Sequence, residues 1–255
     1  MKKFVLLLMV LACTGTAFTA MAQVKKKPVA TAKKPISKPK VPVKKTTMTA
    51  SAKKTEAIKD NSIHIKITTD SGVLVVKLYD STPLHRDNFA KLVKEGFYDS
   101  LLFHRVIPTF MIQGGDPLSK NAQPGSMLGS GGGEMTRIPA EFNPNLIHKK
   151  GALAAARDGN PQKASSACQF YLVEGKIATD AELDMMESRQ GRKYSPEQRT
   201  IYKTIGGTPF LDMNYTVFGE VVSGIEVIEK ISHAPRNSAD RPLGDVRMKM
   251  EIVHP

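Results

Sequence analysis

Phe103-His104-Arg105-Val106-Ile107-Pro108-Thr109-Phe110-Met111-Ile112-Gln113-Gly114-Gly115-Asp116 is the stretch on which the reading of this 255-residue chain turns. It reads as two short apolar strands broken by a turn at Pro108-Thr109, and it closes on a pair of glycines. A single arginine stands inside the apolar run. A buried unpaired charge is costly, so Arg105 needs a partner, a chemical purpose, or a strand-end position that leaves its head in water.

Outward from that stretch the chain keeps alternating short strand and turn signals. Ile63, Ile65 and Ile67 alternate with His64, Lys66 and Thr68, the period-2 pattern of a half-buried strand. Asp70-Ser71-Gly72 is a turn, and Val73 to Tyr79 is the returning strand of a hairpin. Thr82-Pro83 predicts a helix start. Leu84, Phe89, Leu92 and Val93 mark its apolar face, Gly96 closes it, and His85 in its first turn is expected to be exposed. After Asp116 comes a glycine-rich loop, Gly129-Ser130-Gly131-Gly132-Gly133. It lacks the Gly-Lys-Ser/Thr that a phosphate-binding loop needs, so it is read as structural.

Gly151 to Arg157 and Gln169 to Val173 read as strands. Between residues 176 and 206, Thr179-Asp180-Ala181-Glu182 and Ser195-Pro196-Glu197-Gln198 are two capping boxes. They predict a helical hairpin inserted between strands, its helices ending near Gly191 and Gly206. Tyr215 to Val222 returns to strand, Ile225 to Ile231 suggests a short helix, and Met248, Met250 and Ile252 alternate in a closing strand. Composition and periodicity imply a mainly β chain, an antiparallel sandwich or barrel, and go no further.

The net charge of +13 is unevenly placed. Residues 1–60 hold 14 lysines against Glu56 and Asp60, a net of +12, and the remainder holds 23 basic and 22 acidic residues. The basic character therefore gives no argument for nucleic-acid binding by the folded part. Residues 1–22 read as a secretory signal: Lys2 and Lys3, an apolar run from Phe4 to Ala12 too short to span a bilayer, then Ala20-Met21-Ala22. This implies an exported, periplasmic protein. The competing reading, a lipoprotein anchored through Cys13, is disfavoured by Leu11. Residues 23–60 are a Lys/Pro-rich linker with hardly any large apolar residue, expected to be disordered and able to touch the envelope weakly. Residues 61–255 form the folded domain. With the signal removed only Cys168 remains, expected to be buried and inert. The six histidines show no metal-ligand spacing.

The 103–116 block resembles the signature of the cyclophilin-type peptidyl-prolyl isomerases. Two further blocks extend the resemblance. Gly151-Ala-Leu-Ala-Ala-Ala-Arg157 with Ser165-Ser166-Ala167-Cys168-Gln169-Phe170-Tyr171 is one, and Phe210-Leu211-Asp212-Met213-Asn214-Tyr215-Thr216-Val217-Phe218-Gly219 is the other. The resemblance implies a closed eight-stranded antiparallel β-barrel capped by helices, with a groove on its outer face. It places the catalytic arginine on Arg105 and the proline pocket on Phe110, Met111, Tyr171 and Leu211. The backbone- and amide-contacting positions fall on Gln113, Ala156, Arg157 and Gln169, and the rim on Phe210 and Tyr215. Tyr171, Phe210 and Tyr215 depart from the family's usual residues, and Ser166 and Gln169 stand two residues further apart than in the family motif.

The chemistry this implies uses no cofactor and no metal. Rotation about X–Pro breaks no covalent bond, and the twisted transition state gives the prolyl nitrogen a lone pair. A fixed guanidinium donor meets that lone pair only in the transition state. The expected partners are proline-containing peptides and unfolded or folding proteins, with no nucleic acid, and the protein is expected to be a monomer. The alternative is a cyclophilin-fold binding module or chaperone with negligible turnover. The insertion at 176–206 is expected to pack beside the groove.

Overall fold

The structure, a computed structural model, describes residues 62–254. The signal segment with Cys13, and the linker up to residue 60, lie outside the described residues.

The hairpin forms where alternation predicts it. Strand β1 (His64–Thr69) pairs with β2 (Gly72–Leu78), with Thr69 opposite Gly72. The Thr69 side chain ties the turn by accepting from the Ser71 amide and donating to the Gly72 carbonyl. Ile65, Ile67, Leu74, Val76 and Leu78 all point into the main core.

Helix α1 (Pro83–Lys94) also forms, but two details differ from expectation. The Thr82 side chain makes no cap. The carboxylate of Glu141 accepts from the amides of Leu84 (3.0 Å) and His85 (2.9 Å) instead. Leu84 faces solvent and His85 is 2% exposed, so the histidine, not the leucine, joins Phe89, Leu92 and Val93 on the inner face. A charged acceptor arriving at the helix N-terminus satisfies its free amides and complements its dipole, which pulls His85 inward with them.

The remaining strands are β3 (Phe103–Ile107), β4 (Met111–Gly114), β5 (Ala152–Ala155), β6 (Phe170–Val173), β7 (Val217–Ser223) and β8 (Met248–Val253). All eight form one antiparallel sheet in the order β3-β4-β6-β5-β7-β2-β1-β8. Among the described residues, the continuous closure expected of a barrel is not formed as a ladder, because β3 pairs only with β4 and β8 only with β1. The two edges meet just outside the strands. Leu102 bridges Arg247, the Phe103 amide donates to the Val246 carbonyl, and the Met248 amide donates to the Leu101 carbonyl. Helix α4 (Glu226–Ser232) packs Val227, Ile228 and Ile231 into the main core.

Period-2 alternation explains why the central strands read as unbroken apolar runs. On β5 and β6, Leu153, Ala155, Phe170 and Leu172 enter the main core. Ala152, Ala154, Tyr171 and Val173 enter a second cluster on the opposite face, with Met111, Leu211 and Val217. Both faces of this part of the sheet are covered.

The insertion is a helical pair, α2 (Asp180–Gln190) and α3 (Pro196–Thr204), and both capping boxes close reciprocally. Gly191 ends α2 in the left-handed conformation, and α3 ends at Ile205. The neck is clamped by paired backbone bonds between Lys176 and Gly207. A Cβ on Gly175 would lie 2.4 Å from the Gly207 Cα, so only glycine permits this approach. Leu183, Tyr194 and Tyr202 bury a third small core with Ile147 and Ala178.

Candidate active site

The turn between β3 and β4 sets Arg105 directly opposite Gln113. Thr109 takes a positive φ of 59° at the turn, and its amide donates to the Glu174 carboxylate at 2.7 Å. Arg105 is neither fully buried nor fully free, its side chain being 42% exposed. Its Nη1 donates to Gln113 Oε1 at 3.4 Å, and its Nε lies 3.8 Å from Asp240 Oδ2. Gln113 Nε2 donates in turn to Gln169 Oε1 (3.0 Å), and Gln169 Nε2 donates to the carbonyls of Gly129 and Gly131. A file of amides thus runs from Arg105 to the glycine-rich loop. Asp116 holds that loop by accepting from the Gly129 amide. The Gly129 amide and the Gly129 and Gly131 carbonyls are thus engaged by protein side chains.

Beside Arg105 lies a pocket of about 110 Å³ lined by Arg105, Phe110, Met111, Gln113, Ala156, Arg157, Tyr171, Leu211 and Tyr215. For scale, an apolar cavity of roughly 150 Å³ takes up benzene. Nine of the eleven residues named from sequence therefore surround one cavity. The other two are close by. Gln169 lines an adjoining recess of about 210 Å³ together with Gln113, Arg157 and the loop glycines. Phe210 stands on the rim, 49% exposed, with its ring centroid 5.6 Å from that of Phe110.

The floor is apolar and the rim is cationic. Arg157 donates from Nε to the Asn214 carbonyl and stacks 4.6 Å above the Tyr215 ring. Tyr171, 5% exposed, has its phenol held well above the ordinary range by burial. Its hydroxyl lies 2.9 Å from His148 Nε2. The Ser166–Gln169 spacing is absorbed by a tight turn in which Ser166 Oγ accepts from the amides of Cys168 and Gln169. Cys168 is buried, and burial pushes its thiol up. His104, 3% exposed, is pulled down to about 4, chiefly by burial.

The family model described as Cyclophilin type peptidyl-prolyl cis-trans isomerase/CLD matches residues 64–252. The chain belongs to the cyclophilin-type peptidyl-prolyl cis-trans isomerase family. Relatives described as candidate peptidyl-prolyl cis-trans isomerases from Staphylococcus haemolyticus and Staphylococcus epidermidis are each 32% identical over 200 residues. That alignment spans 78% of this chain and 95% of theirs. Among solved structures, a Cryptosporidium parvum cyclophilin type peptidyl-prolyl cis-trans isomerase aligns with a TM-score of 0.58 at 23% identity. It covers 76% of this chain and 99% of that one, and shows the shared fold. A structure of that protein in the presence of the dipeptide Ala-Pro aligns with a TM-score of 0.54 at 22% identity.

Several residues of this cyclophilin's site escaped the sequence reading. His148, Asp240 and Tyr202 carried no signal, and Asp212 was visible only as one letter of a matching block. Asp212 is 1% exposed inside an apolar segment, and a buried carboxylate demands partners. That demand is the one clue the sequence offered.

Proposed function

We propose that this cyclophilin accelerates cis–trans rotation of X–Pro bonds in peptides and folding proteins, with Arg105 as the catalytic residue. The observation that carries the reading is the half-exposed Arg105 guanidinium at the edge of an apolar pocket, braced by Gln113. Phe110, Met111 and Leu211 would hold the prolyl ring while the preceding carbonyl turns. The guanidinium stays charged and presents a rigid donor fork to the nitrogen lone pair that appears only when conjugation is lost. Gln113, Gln169, Ala156 and Arg157 border the path of the substrate backbone. Asp240 supplies a second brace for Arg105 from outside the sheet.

Exchange NMR on a short X–Pro peptide tests this. The native chain should accelerate exchange, and Arg105→Ala should lower the acceleration about 10²–10³-fold, the cost of removing one preorganised donor. A native chain that binds the peptide without accelerating exchange would support a binding module instead.

We also infer that the protein acts as an exported monomer in the bacterial envelope, the leader at 1–22 and the lysine-rich 23–60 segment being the support for this. Retention of the chain in the cytosol on cell fractionation would reject that placement. The Leu102–Arg247 bridge supports a further reading, that the sheet functions as a barrel closed at that seam.

A further inference from the structure

Tyr171 differs from the other pocket residues in having a polar tip on the side away from the cavity. That tip is not left to chance. Tyr171 Oη lies 2.9 Å from His148 Nε2, and the two rings are stacked 11° from parallel. His148 Nδ1 lies 2.7 Å from Asp212 Oδ1, and the His148 amide donates to the same oxygen at 2.9 Å. The other carboxylate oxygen, Asp212 Oδ2, accepts from the Tyr202 hydroxyl at 2.6 Å. None of the four residues is more than 5% exposed. A carboxylate only accepts, so the proton between His148 and Asp212 sits on Nδ1. His148 Nε2 then meets the Tyr171 hydroxyl, which can donate to a bare Nε2 or accept from a protonated one, so the file is continuous either way.

We propose that the α2–α3 insertion positions the wall of the proline pocket through this buried file, Tyr202–Asp212–His148–Tyr171, which makes Tyr202 and His148 positioning residues. The proposal rests on the isomerase reading of the pocket. A phenylalanine at 171 would be held by packing alone, whereas the tyrosine is tethered at its far end. Its ring can settle only where His148 allows, and His148 is oriented by a carboxylate whose second oxygen belongs to α3. Hydrogen-bonded files of this kind polarise along their length, so losing one end changes the other.

A second observation points the same way. Gln190 Nε2 and the Tyr194 hydroxyl both donate to the Pro209 carbonyl, at 2.9 and 3.0 Å. That carbonyl immediately precedes Phe210 and Leu211, which form the rim and part of the floor. Arg192, between the two helices, places Nη1 3.7 Å from Asp212 Oδ2. Two separate parts of the pocket therefore hang on the insertion: its Tyr171 wall through the file, and its 210–211 rim through the Pro209 carbonyl. The sequence expectation that the insertion packs beside the groove is thereby given a mechanism. It acts from behind the wall.

The experiment uses the full chain with Tyr202→Phe, Tyr171→Phe and the double variant. Tyr202 is fully buried and does not line the pocket. Tyr202→Phe should raise the KM for an X–Pro peptide at least threefold with kcat within twofold, because Arg105 is untouched. It should also shift the methyl signals of Met111 and Ala156, which share the pocket with Tyr171. In the Tyr171→Phe background, where the file is already cut, the same substitution should move neither KM nor the methyls. Equal effects of Tyr202→Phe in both backgrounds would overturn the proposal, as would still methyls in the single variant. Should Tyr202→Phe not fold, Tyr171→Phe tests the file from its other end. The Asp212 and Tyr202 amide signals should shift in that variant, and unmoved signals would overturn the proposal. If the native chain binds no proline peptide, the isomerase reading fails, while the methyl and amide shifts still decide the file.

Discussion

His85 and His148 are held in the same way at opposite sides of the sheet. Each has Nδ1 on a carboxylate oxygen, Glu141 at 2.6 Å for His85 and Asp212 at 2.7 Å for His148. Each donates its own backbone amide to that same carboxylate, and each meets a hydroxyl at Nε2 at 2.9 Å, Ser165 for one and Tyr171 for the other. The His85 set has the residue types of a serine hydrolase triad. Yet Ser165 and His85 are buried, and Ser165 is bridged through its backbone to Ile138. The lesson is that the triad pattern does not itself mark a site. The set around His85 joins a helix N-terminus to a loop. The set around His148 ends on a residue that faces a cavity, and there the same scaffold bears on function.

The carboxylates separate the two regions most sharply. Asp212→Ala would leave the His148 amide, His148 Nδ1 and the Tyr202 hydroxyl without an acceptor, and would strand Arg192 nearby. Asp212, His148 and Tyr202 are all fully buried, so the expected loss is about 3–5 kcal/mol. Glu141→Ala removes as many acceptor contacts, but the Glu141 side chain is 14% exposed and water can replace it in part. Its expected cost is about 1–3 kcal/mol. Urea unfolding of both variants gives the ranking. A Glu141 variant less stable than the Asp212 variant would mean that the two sets are not distinguished by burial.

The difference between these regions also marks where sequence reading succeeds. The hairpin, the two capping boxes and the block from Phe103 to Asp116 were legible because each is decided by neighbours a few residues apart. Period-2 burial exposes itself in Ile63–Ile67, and Thr179 needs only Glu182 to close its box. The pocket residues were legible through the resemblance, because they sit in its three blocks. His85 was not. Local periodicity put Leu84 inside, and what reversed that was Glu141, 56 residues further on from His85. The His148–Asp212 pair spans 64 residues, and Asp240 reaches Arg105 from a loop with no apolar period at all. Long-range polar pairing leaves no local rhythm to read. How the β3 and β8 edges meet was not legible for a related reason, since that pairing depends on geometry accumulated around the whole sheet.

A third buried histidine sharpens the comparison. His104 stands next to Arg105 in sequence, yet among the described residues no carboxylate sits on its ring. Its ring nitrogens make no well-formed hydrogen bond, although the Leu102 backbone comes near. Burial lowers it to about 4. The field of Asp116 opposes that shift, and Arg105 and Arg241 add to it. Burial lowers His85 as well, but there Glu141 pushes back. A histidine whose folded value lies below its unfolded value of 6.5 favours the folded state while neutral. Its contribution is fully present above pH 6.5 and is lost as pH falls toward 4. A shift from 6.5 to about 4 corresponds to about 3 kcal/mol. The urea midpoint should therefore fall between pH 6.5 and 4.5, before most carboxylates begin to protonate. His104→Gln should remove most of that slope and leave the smaller part due to His85. If the slope survives in His104→Gln and disappears in His85→Gln, the carboxylate-paired histidine is the acid-sensitive one, and the protection ascribed here to Glu141 does not exist.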